Sequence, residues 1–317
     1  MIVLLHTANL SAGEQETARQ KSVAAALRAN IKRKMSVGIW IGGAALILVA
    51  GLLRWWVAPT LERLPSDYNA ETNYLATLHS RQTPSDSATK TETTVRRRDQ
   101  HLSGTKQHAI IQGEALWLST RGDLIFGTSS IYGVDRYTRE NIAGYGSEKR
   151  VGQYLFPPHI KKQQYEFWDP IYANRYVATF DRVDSFHGIE VFLFKTLADG
   201  IDETSGYSSL PDVPKKYRIL TYGRGRYWVD PISGVVVDHE DSGESYFVDQ
   251  ALGRRVGEPT NQWSARYTQE TILAQLQLAA ATRWRIFALE LWIPLAFVAA
   301  GIMSVAVGFG AARGRAK

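Results

Sequence analysis

The chain has no cysteine among its 317 residues. That one absence excludes disulfides, zinc ribbons, iron–sulfur clusters and thiol nucleophiles. Any folded domain must be held by its own core, and the chain is long enough to build one. Catalytic signatures are missing too: there is no H-E-x-x-H, no G-x-x-x-x-G-K-[ST], no G-x-S-x-G and no EF-hand loop. Charge of one sign is not concentrated. Lys and Arg number 37 against 31 Asp and Glu, a balance of +6 spread along the chain, so nucleic acid is not an expected partner.

Against a mean hydropathy of −0.22, two apolar runs stand out. Met35 to Leu53 carries no charge, and at 1.5 Å per residue it covers about 29 Å, the thickness of a hydrocarbon core. Ile286 to Ala312 has Glu290 as its only charge, with Trp284 and Trp292 placed for an interfacial aromatic belt. Glu290 is expected at the interface or facing the first helix. A basic stretch before an apolar run also opens a signal peptide. This run is longer than an h-region, however, no A-x-A site follows, and Arg54-Trp55-Trp56 reads as an anchor. Arg28, Lys32, Arg33 and Lys34 precede the first run, and Arg313, Arg315 and Lys317 follow the second, which predicts both termini in the cytoplasm despite Arg283 and Arg285. Gly38 and Gly42 form a G-x-x-x-G, and Ala300, Ser304 and Gly308 repeat that spacing. Such faces predict pairing of the two helices, with self-association of either face as the alternative.

The expected organisation is a cytoplasmic tail (1–34, with Met35 as an alternative start), a transmembrane helix (35–57), an extracytoplasmic β-rich domain (58–266), a juxtamembrane helix (267–285), a second transmembrane helix (286–312) and a short tail (313–317). Pro59 to about Thr94 reads as a polar, Ser/Thr-rich stretch with a loop at Thr83-Pro84-Ser85-Asp86-Ser87. Strand patterns follow at Ala109–Ser119, Leu124–Val134, Tyr176–Val183, Ile189–Lys195, Lys216–Tyr222, Arg226–Val229, Val235–Asp238 and Tyr246–Gln250. No helical pattern alternates with them, so the fold class is mainly β: an antiparallel sheet or half-barrel flanked by two transmembrane helices. Thr268, with Glu270 and Thr271, caps the helix that leads towards the second run.

Two units pair an aromatic strand end with a turn: Phe167-Trp168-Asp169-Pro170, and Tyr227-Trp228-Val229-Asp230-Pro231 continuing through Ser233-Gly234 to Asp238. Asp accepts backbone N–H groups two residues on, Pro presets φ, and Gly supplies a positive φ, so a plain hairpin explains both. The second unit resembles the hairpin of the bacterial lipoprotein-carrier fold represented by LolA and LppX, whose concave sheet holds acyl chains. Val191-Phe192-Leu193-Phe194, bulky on both faces, suits such a sheet. From Met35 onward the order of first span, Arg54–Pro59 exit, Phe-Trp-Asp-Pro, Tyr-Trp-Val-Asp-Pro and terminal span is similar to the actinobacterial envelope family labelled porin PorA. That resemblance implies a mycolic-acid-type bacterium, an inner-membrane location and a link to lipomannan and lipoarabinomannan maturation. It carries no catalytic residues over.

The leading expectation is a non-enzymatic envelope protein whose outer sheet binds a lipid or lipid-linked glycan and assists membrane glycosyltransferases, with no cofactor or metal implied. Tyr165, Phe167, Trp168, Tyr227 and Trp228 are the candidate binding residues, because rings stack on sugars or pack on acyl chains; core packing is the plain alternative. A glycan-processing enzyme would need paired carboxylates such as Asp169, Asp230 or Glu190 in a cleft. An oligomeric channel is the third reading. Two helices per chain enclose no pore alone, and the strands read as too short and irregular for a membrane barrel. Other clusters carry less. Ser103-Gly104-Thr105-Lys106 lacks its S-x-x-K partners, and His239-Glu240-Asp241 and the acidic Asp199 and Asp202-Glu203 read as solvated turns. Arg96-Arg97-Arg98 reads as a solvated strand edge or headgroup contact, and His101, His108, His159 and His187 show no ligand spacing.

Overall fold

The computed structural model describes residues 12–81, 83–146, 150–169, 174–204 and 215–313. They form two compact units, one of Pro59–Ile286 and one of the segments on either side of it. Among the described residues there are four α-helices, α1 (Ala12–Leu52), α2 (Ala58–Leu61), α3 (Gln269–Phe287) and α4 (Ile293–Arg313).

In the flanking unit, α1 and α4 pack together antiparallel. Two helical stretches are long and apolar enough to cross a membrane, one at Val37–Thr60 and one within Gln269–Gly310. The expected pairing of these helices is found, through different glycines. Gly38 and Gly42 have nothing within 4 Å of an added Cβ, whereas a Cβ at Gly301 would lie 2.7 Å from the Gly43 carbonyl oxygen. Gly43 shares its helical face with Ile47 and the buried Ala50, the spacing that a 3.6-residue turn brings into one line. The Trp40 and Phe309 rings pack in a tilted pair with centroids 3.9 Å apart, and at the other end Arg54 reaches Glu290 at 3.3 Å. Both of those charges sit in π turns, Leu53–Val57 and Ala288–Trp292. The cysteine-free sequence makes the pairing testable. A Trp40→Cys, Phe309→Cys chain is expected to be joined within one chain by a short bis-maleimide, and adding Gly301→Leu is expected to cut the yield several-fold. A product of two chains instead would establish self-association.

The central unit is one open antiparallel sheet in the order β5-β4-β3-β2-β1-β11-β10-β9-β8-β7-β6. The first meander comprises β1 (Asn69–Ser80), β2 (Thr89–Gly104), β3 (His108–Ser119), β4 (Leu124–Asp135) and β5 (Asn141–Gly146). The second comprises β6 (Gln164–Asp169), β7 (Asn174–Phe186), β8 (Ile189–Asp202), β9 (Tyr217–Val229), β10 (Val236–Asp249) and β11 (Asn261–Tyr267). First and last strands join the two, with Tyr74 opposite Tyr267. The sheet curls, since β4 and β6, near its opposite edges, line one hollow. The two edges are also linked at one end: Asn141 N–H donates to the Gly152 carbonyl, and Gln153 N–H donates to that of Glu166.

Several expectations are corrected. The polar stretch ending at Thr94 holds β1 and most of the first half of β2, with only Thr83–Ser87 as the turn. Its threonines suit a pleated surface whose inward positions are Tyr74, Ala76 and Val95. β9 and β10 run unbroken through Gly223, Gly225 and Gly243, which are extended rather than turning. His239-Glu240-Asp241 therefore lies inside β10, not in a solvated turn, and Arg96-Arg97-Arg98 lies on β2, three strands in from the edge. Strands of 12 to 16 residues are also longer than the 9–11 that span a membrane, so shortness does not exclude a membrane barrel. The outward face does. It carries Arg96, Arg98 and the ion pairs Arg226–Glu240 and Lys195–Asp181, where a lipid-facing barrel is apolar.

α3 begins as expected, with the Thr271 N–H donating to Thr268 Oγ1 at 3.1 Å. It lies on the outer face of the sheet, where Leu276 and Ala279 pack on Val191, Leu193, Trp228 and Val237. At the β9–β10 hairpin, Asp230 Oδ1 accepts the N–H groups of Ile232 and Ser233 at 2.9 and 2.8 Å, and Gly234 takes φ of 73°. Arg283 of α3 binds the other oxygen of Asp230.

Candidate functional site

Side chains alternate across a strand, so the inward set of each strand can be read off once one residue is placed. On β2 that set is Thr93, Val95 and Arg97, while Arg96 and Arg98 face outward. Together with Trp117, Phe126 and Trp263 these residues line a hollow of about 250 Å³ on the concave face. Glycine makes the wall: a Cβ at Gly243 would lie 2.5 Å from the Trp263 indole, which lies flat over the backbone there. Trp263 Nε1–H donates to Asp241 at 2.8 Å, and Thr221 and Ser245 share a 2.6 Å hydroxyl pair. Thr93 is 3% exposed, and its hydroxyl finds no hydrogen-bond partner among the described residues.

One end of the hollow is closed by aromatic packing. The segment between β5 and β6 inserts Phe156 against Phe167 and Phe194, with centroids 4.7 and 4.8 Å away. Beside it runs a polar row: Tyr74 OH bonds His239 Nδ1 at 3.0 Å, the Tyr227 ring stacks on His239 at 4.0 Å, and Tyr227 OH pairs with Tyr176 OH at 2.9 Å. Burial holds the Tyr74, Tyr227 and Tyr267 hydroxyls protonated, pushing them above the usual phenol range. Burial, and then the Arg97 cation, push the His239 imidazole down to about 3.

A family model described as Porin PorA matches residues 35–310. The chain belongs to the porin PorA family. No curated protein matches it. Among solved structures, a DUF1329 family protein from Desulfovibrio piger is 8% identical, with 72% of this chain and 90% of that one covered and a TM-score of 0.17. A LolA superfamily protein from Nitrosomonas europaea is 10% identical, with 69% and 91% covered and a TM-score of 0.14. Scores that low carry no functional inference.

The structure of this PorA-family chain separates the five aromatic residues singled out from the sequence. Tyr227 and Trp168 line the hollow. Tyr165 and Phe167 are buried beneath it in the cluster around Phe156, and Tyr165 OH accepts the Lys161 N–H at 2.8 Å. Trp228 is on the outer face under α3. Of the candidate carboxylates, Asp230 is fully buried in its turn and bound by Arg283, and Glu190 is exposed at the start of β8. The Asp169 side chain, Pro170 and Ser205-Gly206 lie outside what is described. Sequence reasoning missed Trp117, Phe126 and Trp263, and read Arg97 and His239 only as members of a charged strand edge or headgroup contact and of a turn. The alternation Thr93-x-Val95-x-Arg97 was the available signal, hidden because the segment up to Thr94 looked like loop.

The depressed His239 sets a pH dependence. An unfolded chain holds this imidazole near 6.5, so between about 6.5 and 3 the unfolded state binds the extra proton, and stability is lost as pH falls through that window. Each pH unit there is expected to cost about 1.4 kcal/mol. Thermal unfolding of wild type and His239→Phe, followed from pH 7.5 to 4.5, should show the steeper acid loss in wild type. Parallel curves would mean His239 is protonated in the folded protein.

Proposed function

We propose that this protein is a non-enzymatic envelope protein of the inner membrane, with cytoplasmic termini and an extracytoplasmic sheet whose hollow binds a lipid or lipid-linked glycan. In this reading it presents that ligand to membrane glycosyltransferases and so assists lipomannan and lipoarabinomannan maturation. The supporting observation is the hollow itself: a concave, partly open, ring-lined space with a few fixed polar groups is the usual form of a small amphiphile site. Two helical stretches long and apolar enough to cross a membrane support a membrane lipid as the class of ligand.

The test is native mass spectrometry with lipid analysis of full-length protein extracted in mild detergent. Wild type is expected to retain one lipid class that an Ala76→Trp chain, its hollow filled, does not. Equal lipid content in both would end the binding role. The family description favours a channel as the second reading. Since the outer face is charged, a channel would have to be built from several helix pairs, and planar-bilayer conductance of purified protein decides it. Steps of discrete conductance at low protein load would replace the carrier reading.

A further inference from the structure

Resting on the reading of the hollow as a lipid site, we infer that its ligand is an anionic amphiphile, with one phosphoryl or carboxylate group held at Arg97 and its chain laid along the hollow. Of the charged residues that line this space, Arg97 and Asp241 belong to the inward rows of their strands, whereas Arg175 and Arg224 alternate with the inward Tyr176 and Gly223. Asp241 already accepts the Trp263 indole N–H, and Arg97 hydrogen-bonds the Tyr74 hydroxyl at the edge of the space. An acid entering an apolar space needs a cation there, and a guanidinium offers a planar fork that matches phosphate or carboxylate oxygens.

A second observation places the head. Arg97 and Trp168 are the two residues shared by the hollow and a polar recess of about 30 Å³, which Asp99, Asn141, Arg150 and Gln153 also line. Within the recess, Asp99 accepts the Tyr132 hydroxyl at 2.9 Å, so that carboxylate is engaged by the fold. Apolar and polar compartments thus meet at Arg97, as the two parts of an amphiphile do. A third observation concerns the chain. Thr93, four residues and about 13 Å along β2 from Arg97, lines the same hollow with Val95 between them, so the inward row of β2 offers a course for the chain. His239 stays neutral beside Arg97 at pH 7 and adds no competing charge.

The test uses full-length protein in a neutral maltoside detergent and native mass spectrometry with two probes, dioleoyl phosphatidic acid and dioleoylglycerol, which differ by one phosphate. Wild type is expected to hold the phosphatidic acid at about tenfold lower concentration, in keeping with a charge-assisted hydrogen bond. Arg97→Met should make the two lipids equal, and Arg97→Lys should keep part of the preference. Ala76→Trp measures binding outside the hollow. If wild type holds both lipids equally, or if Arg97→Met keeps the preference, the acidic head is wrong and lipid binding stands. If neither lipid exceeds the Ala76→Trp level, the lipid reading itself fails. Displacement of the phosphatidic acid by millimolar inorganic phosphate would show a free-anion site and overturn the amphiphile. Because Arg97→Lys keeps the cation, a folding defect in Arg97→Met is separable from loss of the charge.

Discussion

Replacing Asp230 by alanine is expected to destabilise the central unit by about 3–4 kcal/mol, the cost of breaking a buried ion pair from one side. Asp230 is fully buried, yet one of its oxygens holds the hairpin N–H groups of Ile232 and Ser233 while the other binds Arg283 of α3. The variant loses the turn and leaves the Arg283 guanidinium, whose side chain is 26% exposed, without its counter-charge. Arg283→Met leaves the opposite charge buried and should cost a similar amount. The double variant Asp230→Ala, Arg283→Met should cost clearly less than the sum, because each single change strands a charge that the other removes. Pulse proteolysis of the full chain in a urea series measures all three. Additive losses would mean that the two residues act separately, and that α3 is held to the sheet by Leu276 and Ala279 alone.

Phe156→Ala is expected to cost about 3–5 kcal/mol, in the range of large buried aromatic truncations. The ring is 3% exposed and touches Tyr165, Phe167, Phe194 and Tyr227, so a cavity is left among four other aromatic rings that cannot collapse together across a sheet. The functional consequence follows from position. Phe156 belongs to the segment that closes one end of the hollow, and Tyr227 both contacts it and lines that space. Lipid retention should therefore fall with stability, whereas Phe156→Leu, which fills most of the volume, should lose less of both. Thermal unfolding together with the lipid content of the same preparations separates the effects. A stable Phe156→Ala chain that has lost its lipid would mean that the segment is a lid more than a core element.

The two apolar helices and the β character of the middle were legible in composition and periodicity, because a charge-free run and a period of two are properties of the chain alone. The Asp230 turn and the Thr268 cap were legible for the same reason, since their bonds span two or three residues. Less visible were β1 and β2, whose threonines and charges mask a half-buried alternation behind a loop-like composition. The glycines of β9 and β10 also misled. In isolation Gly223, Gly225 and Gly243 look like strand ends, and only Trp263, from β11, explains the missing side chain at Gly243.

The candidate site shows the same division. Sequence alone fixed which residues carry rings and charge, and local alternation determined that Arg97 faces opposite to Arg96 and Arg98. Which face is concave, which strands meet at β1 and β11, and whether a given tryptophan lines the hollow or lies under α3 depend on pairings between residues far apart in the chain. Trp168 and Trp228 occupy similar motifs, yet Trp168 lines the hollow near the sheet edge while Trp228 is covered by α3, a difference that comes from what packs on each. Register in this unit is set by long-range hydrogen bonding and by the curl of the sheet, so the hollow and the cation within it were decided only by the tertiary structure.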